Sequence, residues 1–302
     1  MIAQNINGLT TTLKELLSYQ RCYVKKTPPR KAKASQAGQH VSSIRGRGMD
    51  FSEVRAYQAG DDVRQMEWRV TARTGKPHIK VYHEEKERPV FILTDYNPSM
   101  FFGTRVAYKS VIASRFSAML AFAASHNGDK VGGMLYSGDS VKDIRPKARK
   151  NGVLPLVQQL SYFSNQPSKT ACELDTMLLQ LRQVVKPGAL IFILSDFEHL
   201  GDSAPALLSR LNLRADIVCC LISDPLERKA PKPGRYAITN GVDEMTLDTS
   251  SKHIQEKYNA NYQQKLKTMQ RMVKPHCLIE ISTDDDLDNH LFSAFSSSAG
   301  WR

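Results

Sequence analysis

The run Val90-Phe91-Ile92-Leu93-Thr94-Asp95-Tyr96-Asn97-Pro98-Ser99-Met100-Phe101-Phe102-Gly103 opens with four apolar residues and no polar alternation between them. That pattern suits a strand buried on both faces of a parallel sheet. The strand ends in an acid, and an amide, a proline and a hydroxyl follow within four residues. Open α/β sheets place their ligands at the carboxyl ends of such strands. Asp95, Asn97 and Ser99 alternate along one short loop, so their oxygens can converge on one hard cation. The plainer alternative is a strand-to-helix turn in which Asn97 or Ser99 caps the helix that follows.

Working outward, 302 residues allow one large α/β domain with or without an appendage, and a 41% hydrophobic content suffices for its core. The longest apolar runs, Ala189 to Leu194 and Ile217 to Ile222, are far short of the ~20 residues that cross a bilayer. The start Met1-Ile2-Ala3-Gln4-Asn5 has no basic n-region or apolar h-region, so no signal peptide is expected. The five cysteines show no metal or disulfide spacing and read as small core residues of a reducing compartment. A cytoplasmic protein is expected. The net charge of +12 is unevenly spread, with eight Lys/Arg and no acid from Arg21 to Arg47. That distribution indicates a basic arm on an ordinary domain rather than a basic domain.

Before the central run, Leu9 to Tyr23 has helical spacing of its leucines, and Lys25 to Lys33 reads as an exposed linker, with two prolines among charges of one sign. A phosphate- or phospholipid-binding strip is the functional alternative for this basic stretch. Gly46 and Gly48 lack the further glycine, lysine and serine of a phosphate loop. Asp61 is placed to cap a helix over Val63 to Arg73, closed by Gly75. Trp68 sits there among charges of alternating sign, as in a packed, ion-paired helix. His78 to His83 alternates as a half-buried strand.

After the central run, helix and strand alternate. Helices are expected over Thr104–Asn127, Asn151–Phe163 (Pro155 in its first turn), Glu173–Val185, Ala204–Asn212, His253–Val273 and Asp286–Phe295. Strands are expected over Lys130–Ser137, Ala189–Ser195, Asp216–Ser223 and Cys277–Ser282, with two short strand-like runs within Tyr236–Thr249. Gly132 and Gly133 allow another backbone to approach closely. The alternation implies a doubly wound, mainly parallel sheet of Rossmann-like type. Asp95 and Asp196 each end a buried strand, so both carboxylates reach the same sheet edge, and a divalent cation would answer their repulsion.

Several spaced blocks between residues 46 and 85 carry a resemblance: Gly-Arg-Gly-Met-Asp-Phe from Gly46, Val-Arg-Ala-Tyr-Gln-Ala-Gly-Asp-Asp-Val-Arg from Val54, Glu-Trp-Arg-Val-Thr-Ala-Arg-Thr-Gly-Lys-Pro from Glu67, and Tyr-His-Glu-Glu from Tyr82. In this order they resemble the hallmark of the bacterial family called domain of unknown function 58. There the hallmark precedes a von Willebrand factor type A-like segment. The residues themselves give a helix and basic linker over 1–45, and the resemblance, which begins at about Gly46, implies a hallmark segment over 46–88 packing on the main domain and a von Willebrand factor type A-like domain over 89–302. It also implies a binding module acting with a MoxR-type AAA ATPase in chaperone-like or complex-assembly work.

Domains of this type carry a metal-ion-dependent adhesion site, with Asp-x-Ser-x-Ser on one loop, Thr on a second and Asp on a third. Carried across, Asp95, Asn97 and Ser99 take the first loop and Asp196 the third, for Mg²⁺ or Mn²⁺. Asn97 stands where the pattern has Ser. On the second loop Cys172 stands at the place of the Thr, so Thr170 must serve from a shifted loop, or water in its stead. A partner's acidic side chain would complete the metal. An enzyme is not expected: the nucleophile loop of haloacid dehalogenase-type phosphotransferases needs a second carboxylate at position 97, and an amide cannot shuttle a proton. The competing class is a nucleic-acid- or phospholipid-binding protein using residues 21–47.

Overall fold

The computed structural model describes residues 7–23, 49–84, 88–138, 140–239, 244–273 and 277–296. In chain order the elements begin with α1 (Leu13–Tyr23), β1 (Met49–Ala56), α2 (Trp68–Thr74), β2 (His78–Glu84), β3 (Pro89–Asp95), α3 (Lys109–His126) and β4 (Lys130–Ser137). They continue with β5 (Ser140–Ala148), α4 (Lys150–Phe163), α5 (Leu174–Val184), β6 (Leu190–Ser195), α6 (Ala204–Asn212) and β7 (Asp216–Ser223). The last are α7 (Pro225–Arg228), β8 (Arg235–Thr239), β9 (Glu244–Asp248), α8 (Lys252–Met272), β10 (Leu278–Ser282) and α9 (Leu287–Ser296). The chain divides into two units: Lys31–Glu87, and everything before and after it.

In the larger unit six strands form one sheet in the order β10-β7-β6-β3-β4-β5. Every neighbouring pair is parallel except β4 with β5. The mixed α/β, mostly parallel architecture is the one expected. The apolar run of β3 explains it: with no polar residue among them, successive side chains feed two cores. Val90 and Ile92 enter the core under α1, α3, α4 and α9, while Phe91 and Leu93 enter the core under α5, α6 and α8. Each such side chain, at most 1% exposed, contributes about 1.5–3 kcal/mol. From β3 the chain crosses by α3 to β4 on one side, whereas β6 crosses by α6 to β7 on the other. The order therefore reverses between β3 and β6, and the crevice at their carboxyl ends is the position for a ligand.

Several boundaries differ from expectation for local reasons. The helix expected from Thr104 begins at Lys109, because the backbone N–H and hydroxyl of Thr104 donate to the Asp224 carboxylate at 3.0 and 2.6 Å. Pro155 lies inside α4 rather than in its first turn, since the helix starts at Lys150. Strand β5 was not anticipated; its charged sequence hides the single buried Ile144 of an edge strand. Helix α1 starts at Leu13 and packs on α3, with Leu16 fully buried and Glu15 accepting from Arg115 Nε at 2.7 Å. Among the described residues no helix is long and apolar enough to cross a membrane.

In the smaller unit β1, also unanticipated, pairs antiparallel with β2. Asp61 does not cap a helix: its carboxylate takes both Arg55 guanidinium nitrogens, at 2.7 and 2.9 Å. Asp62 caps a single 3₁₀ turn, Val63–Gln65, and α2 starts afresh with Glu67 as its cap. Gly75 closes α2 in the left-handed conformation, as expected. Glu67 pairs with Lys80 of β2 at 2.5 Å. The ring of Trp68, expected to be packed, is instead 66% exposed. The basic stretch 24–48 lies outside the described residues.

Two substitutions test these assignments. A Cβ at Gly132 would stand 2.5 Å from the Ile144 carbonyl oxygen and 2.6 Å from the Pro146 nitrogen, both backbone. Gly132→Ala should cost about 1–3 kcal/mol in urea unfolding. Trp68→Ala should leave stability within about 0.5 kcal/mol of wild type; a loss of several kcal/mol would mean the ring is packed after all.

Candidate functional site

The parallel register of β3 and β6 places Thr94 beside Leu194 and brings both strand ends to one edge. Asp95 and Asp196 are buried there, at 1% and 0% exposure. One Asp95 oxygen accepts from the Asn97 N–H at 2.8 Å, the other from the Ser195 hydroxyl at 2.6 Å. Asp196 accepts from the Glu198 N–H at 3.1 Å and from Lys109 Nζ at 2.7 Å. The turn after Asp196 uses a left-handed residue, Phe197 at φ 55°, whose N–H binds the Ser195 hydroxyl. Such a conformation costs a non-glycine residue about 1–3 kcal/mol, and here it directs the Glu198 N–H back to the carboxylate.

Lys109 was not anticipated as part of this edge. It is the first residue of α3, its side chain is 1% exposed, and its ammonium also donates to Glu227 Oε1 at 2.5 Å. The Phe102 ring lies 5.8 Å from the ammonium. A cation at a helix N-terminus opposes the helix dipole. The sequence carried no local signal for this role, because a helix expected from Thr104 places Lys109 in its second turn rather than at its start. Glu227 is held in turn by the capping box of α7, where it accepts from the Asp224 N–H at 2.8 Å.

The charges sort by environment. Burial pulls the Lys109 pKa down, but the Asp196 and Glu227 carboxylates outweigh it and hold the amine above its usual value. Burial pushes Asp196 up, and Lys109 and then Lys265 reverse this, leaving it below the carboxylate range. Asp95 has no cation of its own, and burial followed by the Asp196 charge pushes it up to about 7.

Of the expected donors, Asp95, Asn97 and Asp196 meet at this edge with their oxygens engaged. The Asn97 amide donates to the Cys172 carbonyl at 2.9 Å and accepts its N–H at 2.8 Å, so it clamps the second loop. The Thr170 hydroxyl is exposed and sits 3.2 Å from that of Ser168. Of the five expected donors, Ser99 is the one that keeps a buried hydroxyl oxygen with no hydrogen-bond partner. Asp196 has both oxygens occupied, one by an ammonium. Unit charges 4 Å apart interact by about 4 kcal/mol at the effective dielectric near a protein surface, and a divalent ion beside Lys109 would double that repulsion. The five residues as arranged do not fit a divalent cation.

Beside the edge runs a cleft lined by Phe197, Ser223, Glu227, Tyr258, Tyr262 and Lys265, among others. The loop into α3 exposes Phe102 at 39% and Val106 at 55%, with Arg105 exposed between them.

Comparison with known proteins gives a family model, described as "Protein of unknown function DUF58", that matches residues 53–268. Uncharacterized proteins of Mycobacterium bovis and Mycobacterium tuberculosis are each 27% identical over 216 residues, spanning 70% of this chain and 68% of the relative. Among solved structures, the conserved hypothetical protein BatB from Bacteroides thetaiotaomicron matches with a TM-score of 0.43 at 13% identity, over 69% of this chain and 97% of that one.

Asp95 makes stability pH-dependent in a defined direction. Its folded-state pKa of about 7 lies above the ordinary 3.8, so the native state holds a proton that the unfolded chain has released between those values. Stability from this group is full below the ordinary value and is lost as pH rises through about 7, with a slope of at most about 1.4 kcal/mol per pH unit. Urea unfolding across this range should show that decline, and Asp95→Asn should flatten it. A parallel slope in the variant would assign the effect to another group.

Proposed function

From the premise that this chain belongs to the DUF58 family, we propose that it is a non-enzymatic protein–protein interaction module of von Willebrand factor type A-like fold. Its working face is the carboxyl edge of β3 and β6, and its partner is a MoxR-type AAA ATPase, or the client of one, in chaperone-like or complex-assembly work. One observation carries the reading. At the topological switch point the chain exposes Phe102, Arg105 and Val106 above carboxylates already hydrogen-bonded or ion-paired.

Aromatic and arginine side chains around an apolar contact are the residue types that dominate binding energy in protein interfaces. The buried groups beneath them are poorly disposed to catalysis. Asp196 is paired with Lys109, Asp95 is capped by Ser195, and Asn97 cannot exchange a proton. Such a charge centre holds a loop in place. An acidic side chain from the partner would meet Arg105, and the net charge of +12 would speed encounter with an acidic surface at low salt.

The test is affinity for a MoxR-type ATPase, measured by calorimetry or pull-down. The double variant Phe102→Asp, Arg105→Glu should bind on the order of tenfold or more weakly, a loss of at least about 1.4 kcal/mol, while melting as wild type does. Undiminished binding would place the interaction surface elsewhere.

A further inference from the structure

The residues of the β3–β6 edge do not assemble the cation site that the resemblance implies, and the manner of their failure is specific. Every carboxylate oxygen that would face a metal is engaged within the chain: Asp95 by Ser195 and the Asn97 N–H, Asp196 by Lys109 and the Glu198 N–H. Glu227 closes the group, with one oxygen on Lys109 and the other on the Asp224 N–H. A lysine has been brought to the first position of α3, against the helix dipole, and enclosed to 1% exposure between two acids.

We infer that Lys109 is the resident cation of this edge, a covalently attached ammonium standing in for a divalent metal ion, so that the edge folds and works without one. An ammonium has three donors and a single charge, and here it serves Asp196 and Glu227. Because it is tethered, it cannot be removed by a chelator or exchanged with solvent ions. It also joins three elements, α3, the turn after β6, and α7, the first of them through its own covalent tether. Its removal would leave Asp196 and Glu227 as two carboxylates around an emptied, enclosed position, which is the chemistry that takes up a hard divalent cation.

The experiment uses the full chain, with Mg²⁺ and Mn²⁺ alone as probes, read by thermal melting and by the loss of free Mn²⁺ signal in electron paramagnetic resonance. Wild type should melt at the same temperature in EDTA and in millimolar Mg²⁺, and should take up no Mn²⁺. Lys109→Gln should melt lower in EDTA, recover part of that loss in millimolar Mn²⁺, and deplete the free Mn²⁺ signal. Adding Asp196→Asn to it should abolish the recovery. Metal uptake by wild type that disappears in Asp196→Asn would overturn the inference, as would a folded Lys109→Gln protein indifferent to metal. Should Lys109→Gln not fold, the wild-type Mn²⁺ titration still decides. Lys109→Arg, which keeps the charge, must then fold and remain indifferent to EDTA. The inference rests on the proposed function only in taking this edge as the working face. The melting and Mn²⁺ readouts need no partner, so either idea can fail while the other stands.

Discussion

Two aspartates delivered to one edge by neighbouring parallel strands, with a buried lysine to answer one of them, set the terms for the rest of the molecule. Burying charges costs several kcal/mol per ion unless each finds a partner, and removing one partner from such a pair costs about 3–5 kcal/mol. Lys109, Asp196 and Glu227 satisfy that requirement together, and the loops that present them are shaped to do so. The left-handed Phe197, the capping box at Asp224 and the late start of α3 all hold members of this group in place. Asp95, left without a cation, accommodates its burial by a raised pKa and a hydroxyl donor.

The sheet supplies the geometry that makes the arrangement possible. Alternate residues of β3 enter two separate cores, so the strand cannot shift by one residue without exchanging its contacts on both faces. That fixes where its carboxyl end falls relative to β6. On the far side, Gly132 lets β5 lie close against β4 as the antiparallel edge. Pro146 and the exposed Lys142, Arg145 and Lys147 then make β5 a poor template for further strand pairing.

Asp95, Asn97 and Asp196 meet at this edge, and their side chains are engaged within the chain. Asn97, at a position where a hydroxyl would be expected to face a metal, instead ties the first loop to the backbone of the second at Cys172. The amide thereby exchanges a ligand role for a structural one. The loop into α3 exposes the apolar and basic side chains of Phe102, Arg105 and Val106.

Uninterrupted apolar runs made β3, β6 and β7 legible from the amino acids alone, because a strand buried on both faces admits no polar residue. The aspartates at the ends of β3 and β6 were legible for the same reason. Edge strand β5 was not: only Ile144 is buried, and a sequence dominated by solvated charges carries no period. Nor was the exposure of Trp68, since alternating charges around an aromatic ring describe a packed helix and an open one equally well. The partners of the site were beyond local pattern. Lys109 and Glu227 stand 118 residues apart, Asn97 and Cys172 75 apart. Sequence by itself determined which strands are central and which acids end them, since burial is written into composition along a strand. Only the tertiary structure decided that a lysine would neutralise one of those acids, because a charge pair is chosen by proximity in space, and proximity is created by the packing of α3 and α7 over the sheet edge.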